Sequence, residues 1–186
     1  GNLIASASGN EIKLWDVKSL KEVATLSRHD DNVNSIVFSP DSSLLASASD
    51  DYTTKLWNVK SHNIAATLRH NNAVYSVEFS PDGSLLTSLI RGGTIWLWDV
   101  KSKKILATLE PFDSVDSVSF SSDGDFLAVA GYSRDSNDFI IKLWDTKNLK
   151  EIGTFETGAF CSFAFSPDGS LLASGGQWRT DNTIIK

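Results

Sequence analysis

The sequence has one cysteine, Cys161, in 186 residues, so it can form no internal disulfide and needs no oxidising compartment. Its three histidines, His29, His62 and His70, are scattered without metal-ligand spacing, and neither a metal nor a cofactor is expected. There is no cationic excess either. Against 23 Asp and Glu stand 17 Lys and Arg, a formal charge of −6, which argues against nucleic acid and anionic membranes as partners and favours a partner with basic patches. Apolar runs are too short to span a bilayer, and no charged segment leads into an apolar one as in a secretory signal. With Gly1 in first place, the expectation is a cytoplasmic chain whose natural ends lie outside this sequence. No segment keeps a helical period.

What the chain has instead is repetition. Four segments end alike: Glu11-Ile-Lys-Leu-Trp-Asp16, Thr54-Lys-Leu-Trp-Asn58, Ile95-Trp-Leu-Trp-Asp99 and Ile141-Lys-Leu-Trp-Asp145. Their tryptophans, Trp15, Trp57, Trp98 and Trp144, follow at intervals of 42, 41 and 46 residues. A second series keeps step with the first: Phe38-Ser-Pro-Asp-Ser42, Phe79-Ser-Pro-Asp-Gly83, Phe120-Ser-Ser-Asp-Gly124 and Phe165-Ser-Pro-Asp-Gly169. Proline presets a turn's backbone angle and Asp or Gly suits the next positions, so these copies read as hairpin connections.

One period holds four short strands bounded by turn residues: 33–39, 44–49, 53–58 and 64–68. A lone four-stranded sheet with two apolar faces must pack against its neighbours in the chain, which is the logic of a propeller. The two motif series resemble the WD-repeat family over essentially the whole length. Departures are mild: Asn58 replaces one closing Asp, and Ser122 one Pro. The resemblance implies an all-β fold, a β-propeller of four-stranded antiparallel blades, with three complete blades and two partial ones forming a single repeat domain over residues 1–186. The first blade is expected to lack its inner strand and the last to stop in its third. These ends overlap rather than complete one shared blade, so a longer ring, typically of about seven blades, or pairing with another chain is expected.

The resemblance also implies a buried His, Ser, Asp and Trp set in each blade. His29, Ser47, Asp51 and Trp57 match it fully, and every member can find a partner. In the next blade His70, Ser88 and Trp98 remain, but Gly92 stands where Asp is expected. The fourth keeps Asp138 and Trp144, with Val129 and Pro111 in the Ser and His places; the fifth keeps Ser174. These last two blades are expected to be the less stable. His, Ser and Asp also make a hydrolase triad, yet Ser47 falls in a strand rather than on an exposed elbow, and no enzymatic activity is expected.

Carried over by position, the family's partner-binding rim comprises Asn32, Asn34, Ala73, Tyr75, Ser114, Asp116, Ala159 and Cys161 at strand entrances, with Asp50, Arg91 and Asn137 in turns. Two long turns add Tyr132 with Arg134 and Trp178 with Arg179. Tyr, Trp and Arg dominate interface hot spots, although solvated loop tips would carry the same residues. The expected function is a scaffold binding peptides or proteins on one face of the propeller; the alternative is a regulatory or sensor module of a larger enzyme or signalling protein.

Overall fold

The computed structural model describes residues 2–157, 161–176 and 184–185. Every regular element among them is a strand. Strands β1 (Leu3–Ser8), β2 (Glu11–Asp16) and β3 (Glu22–Ser27) form a three-stranded sheet. The second sheet has four strands, β4 (Val33–Phe38), β5 (Leu44–Ser49), β6 (Thr53–Asn58) and β7 (Ile64–Arg69). The third repeats it with β8 (Val74–Phe79), β9 (Leu85–Ile90), β10 (Ile95–Asp99) and β11 (Lys104–Leu109). The fourth contains β12 (Ser114–Phe120), β13 (Phe126–Ser133), β14 (Asp138–Asp145) and β15 (Lys150–Glu156). The fifth, of three strands, has β16 (Cys161–Phe165), β17 (Leu172–Gly176) and β18 (Ile184–Ile185).

The chain divides into two compact units, residues 1–79, 83–91 and 96–106 in one and 80–82, 92–95 and 107–186 in the other. In the first unit, Ile12 and Leu14 pack with Leu45 and Trp57, joining the first sheet to the second. On the other face of the second sheet, Ala46, Ala48 and Leu56 meet Val74, Val77, Leu86 and Trp98 of the third. Strand β5 is therefore buried almost continuously rather than on alternate residues. In the second unit, Ala128, Ala130 and Ile141 pack against Leu172, with Phe155, Phe163 and Phe165 around them.

Serine is as important as proline in the Phe-Ser-Pro-Asp turns. The Ser39 hydroxyl donates to Asp41 Oδ1 at 2.7 Å and accepts the Leu44 amide at 2.9 Å, while Asp41 also accepts the Ser43 amide at 3.0 Å. Ser121 with Asp123, and Ser166 with Asp168, repeat this cage. It explains why the Ser122 copy works without proline. The residue after each of these Asp positions needs a left-handed backbone: Gly83, Gly124 and Gly169 have φ of 73°, 78° and 73°, and Ser42 adopts 60° without glycine's freedom.

The residue closing each Trp-Asp motif caps the following turn. Asp16 Oδ1 accepts the Ser19 amide at 2.7 Å and Asp99 Oδ1 that of Ser102 at 2.6 Å. Asn58 Oδ1 does the same for Ser61 at 2.8 Å. An acceptor oxygen, not a charge, is what the position requires.

Candidate functional site

The second sheet brings His29, Ser47, Asp51 and Trp57 into one hydrogen-bonded chain. Trp57 Nε1 donates to Ser47 Oγ at 2.8 Å, leaving the serine hydrogen for His29 Nε2 at 2.7 Å. His29 must then carry its proton on Nδ1, which donates to Asp51 Oδ2 at 2.7 Å. Burial lowers the His29 pKa against the pull of Asp51, so the ring is neutral near pH 7. Burial opposes ionisation of Asp51 too. Hydrogen bonds from Thr53, His29, the Asp30 amide and Lys55 outweigh it and hold the carboxyl well below its ordinary range.

Lys55 completes this set, and the sequence pattern did not single it out. It is 6% exposed, and its ammonium donates to Asp51 Oδ2 at 3.1 Å and Thr53 Oγ1 at 3.0 Å. Ser47 is 0% exposed. A nucleophile sealed in this way, its proton committed to His29 and a lone pair to Trp57, has no route to a substrate.

The third sheet arranges the same residue types differently. His70 Nε2 lies 3.1 Å from Thr54 Oγ1, which is 3.2 Å from Ser88 Oγ. Thr54 lies on β6, one sheet back, where the corresponding residue of the first sheet is the apolar Ile12. Among the described residues, two buried side-chain polar atoms lack a partner, His70 Nδ1 and Trp98 Nε1. Burial without a compensating carboxylate lowers the His70 pKa to about 4. Trp96, at the position that Lys55 holds in the second sheet, packs against His70 with ring centroids 4.9 Å apart and planes tilted by 41°.

In the fourth sheet the pattern becomes apolar. Val129 and Trp144 are buried, and Asp138 accepts the amide of its neighbour Phe139 at 2.8 Å. Phe112 packs directly over Gly131, where an added Cβ would collide with the Ser114 carbonyl oxygen and meet the Phe112 ring at 2.6 Å. Ser174 pairs with Phe163 in the fifth sheet. The Cys161 side chain, Ala159, Trp178 and Arg179 lie outside the described residues.

The rim residues share a backbone feature that periodicity does not reveal. The inner strands of the second, third and fourth sheets each slip register by one residue, between Val33 and Ser35, Val74 and Ser76, and Val115 and Ser117. The skipped residues are Asn34, Tyr75 and Asp116, all exposed. A bulge re-aims the side chain of its extra residue, so these three leave the alternation of their strands.

In the first unit the turns tie onto these bulges. Asn34 Nδ2 donates to Asp50 Oδ1 at 2.9 Å and to the Val74 carbonyl at 3.0 Å, while the Asp50 amide donates to the Asn32 carbonyl at 2.9 Å. Arg91 Nε donates to the Tyr75 hydroxyl at 2.6 Å, its guanidinium carbon 5.2 Å from the ring centre. In the second unit, desolvation pushes the Asp116 carboxyl up. Tyr132 donates to Asn137 Oδ1 at 2.8 Å, and Arg134 pairs with Asp113 through its amide at 2.8 Å and its guanidinium at 3.5 Å. A polar cavity of about 510 Å³ lies beside them, lined by Gly92, Thr94, Glu110, Pro111, Phe112, Asp113, Ser133 and Asp135. Among the described residues no group of three or more His, Cys, Asp and Glu is placed to hold a metal ion, and no helix is long and apolar enough to cross a membrane.

Four-stranded meanders packed face to face, one of them locked by a buried His–Ser–Asp–Trp chain, define a repeat protein built of propeller blades. Residues 20–58, 63–99, 103–145 and 149–185 match WD40, described as WD domain, G-beta repeat, and the chain belongs to that family, whose repeats generally serve as scaffolds for protein interactions. Among curated relatives, it is 38% identical over 66 residues to the coronin-like protein of Saccharomyces cerevisiae, a match covering 35% of this chain and 10% of that one. Lissencephaly-1 homolog 1 of Paramecium tetraurelia is 43% identical over 60 residues, 32% of this chain and 15% of the relative. Apoptotic protease-activating factor 1 of Danio rerio is 44% identical over 55 residues, 30% of this chain and 4% of the relative. The matched segments thus span only a small part of these relatives' own lengths.

Proposed function

We propose that this chain is a non-enzymatic interaction scaffold, acting inside the cell as one repeat domain, which receives peptide or protein partners on the rim where its inner strands bulge. The observation carrying this reading is the coincidence of three register slips with three rim positions, Asn34, Tyr75 and Asp116. A bulge costs ladder hydrogen bonds, and its repetition at one place in successive sheets fits a need to display side chains there. In the first unit the displayed residues Asn34, Asp50, Tyr75 and Arg91 are already held by mutual hydrogen bonds, which lowers the ordering cost of binding. Tyr132 and Arg134 serve the same role in the second, and Trp178 and Arg179, outside the described residues, are assigned to partner binding from the sequence alone. The acidic balance favours partners that also carry basic patches.

Site-specific photo-crosslinkers placed in the intact protein at positions 34, 75 and 132, and at the exposed outer-strand residue Ile64, test this reading. The rim positions should each yield a discrete crosslinked protein in cell extract, and Ile64 none. Crosslinks confined to Ile64 would remove the rim from consideration. A second reading, a regulatory module within a larger protein, draws support from the match to apoptotic protease-activating factor 1, where the similar segment is 4% of that chain.

A further inference from the structure

The two rim arginines of the described residues differ in one respect. Arg134 spends its charge on Asp113, at 3.5 Å. Arg91 has no carboxylate within ion-pair distance among the described residues; it is oriented instead by a neutral phenol. Its backbone is fixed as well, since the Arg91 amide donates to the Ala73 carbonyl at 2.8 Å and its carbonyl accepts Asn72 Nδ2 at 3.2 Å. With Nε committed to Tyr75, both terminal nitrogens project from a guanidinium held by its ring partner, and the Tyr75 hydroxyl, already an acceptor, keeps its own hydrogen to donate.

We propose that Arg91 and Tyr75 form a receptor for a carboxylate, and that the partner presents an acidic side chain, Glu or Asp, at this point of the rim. This rests on the scaffold reading above and specifies what one part of that surface takes. A planar carboxylate matches the two terminal nitrogens in a fork, and the phenol adds a third donor. A phosphate dianion fits less well. Asn34 links the Asp50 carboxylate to the carbonyl of Val74, the neighbour of Tyr75 on β8, and a dianion meets about twice the repulsion from that charge that a carboxylate does.

The test follows the Arg91 Nε–H resonance of the intact protein during titration with capped tetraglutamate, capped tetraglutamine or inorganic phosphate at fixed ionic strength. Tetraglutamate should shift it saturably, tetraglutamine should not, and phosphate should bind several-fold more weakly. Arg91→Lys, observed through Tyr75, should lose most of the response, and Tyr75→Phe, which keeps the ring but not the hydroxyl, should weaken binding by about fivefold. No saturable shift, an equal response to tetraglutamine, phosphate binding as tightly as tetraglutamate, or a Tyr75→Phe variant that binds like the parent would overturn the proposal. If crosslinks from positions 34 and 75 persist while the titration fails, this inference alone falls. If the titration succeeds but the crosslinks are absent, the scaffold reading falls and the carboxylate site remains.

Discussion

Thr54 reaches His70, its hydroxyl 3.1 Å from the imidazole Nε2, and so takes the place beside that nitrogen that Ser47 holds beside His29 one sheet earlier. The two histidines hold the same place in successive repeats but opposite energetic positions. His29 is satisfied on both nitrogens, whereas His70 Nδ1 and the nearby Trp98 Nε1 have no partner among the described residues.

Replacing His29 with Leu should cost about 3 kcal/mol, since it takes one hydrogen-bond partner from each of the buried groups Asp51 and Ser47. His70→Leu should cost under about 1 kcal/mol at pH 7.5, because an already unpaired nitrogen is lost with the ring. Urea denaturation of the two variants measures the contrast directly.

Stability should fall with acid in two stages. His70 is held to about 4 in the folded chain, below its ordinary 6.5, so below pH 6.5 the unfolded state gains a proton first and stability declines until about pH 4. The decline from this group is at most about 3 kcal/mol and should vanish in His70→Leu. Asp51, depressed below its ordinary 3.8, contributes stability above that pH, which is lost as pH falls toward its folded value. Asp51→Asn should remove that lower limb. Denaturation midpoints between pH 8 and the acid limit of folding separate the stages.

Thr54→Val frees Ser88 from the threonine hydroxyl and leaves it to His70 and Trp98. The variant should match the parent's stability within about 0.5 kcal/mol, and the Trp98 indole N–H resonance should move as it gains an acceptor. An unchanged resonance would mean that Ser88 does not serve Trp98 even when released.

Two backbone positions predict opposite signs. Ser42→Gly should stabilise by about 0.5–1 kcal/mol, relieving a left-handed backbone where the other copies use glycine. Gly131→Ala should destabilise by about 2–3 kcal/mol, because the new Cβ collides with Phe112 and the Ser114 carbonyl. Melting curves of both variants would decide each.

Much of the fold was legible because turn chemistry and strand length are local. The spans expected at 44–49 and 53–58 coincide with β5 and β6, and the three-, four- and three-stranded grouping follows the motif count. The residues forming the chain from Trp57 to Asp51 could be named because the resemblance supplies them by position. The rest depends on neighbours that periodicity does not encode. Lys55 looks like a solvent-facing strand residue until Asp51 and Thr53 gather around it, and Thr54 acts on His70 from another repeat. The resemblance places Asn34, Tyr75 and Asp116 on the rim by position, but the register slip at each leaves no mark in the pattern of apolar and polar residues.

The central division is between polar residues that hold the sheets and polar residues offered to partners. It is tested most directly by the affinity of a crosslink-identified partner for the Tyr75→Ala, Arg91→Ala double variant, measured beside its melting temperature. Binding at least about tenfold weaker with a melting temperature within about 2 °C of the parent is the expected result. A double variant that binds like the parent, or that loses affinity only because it melts far lower, would contradict it.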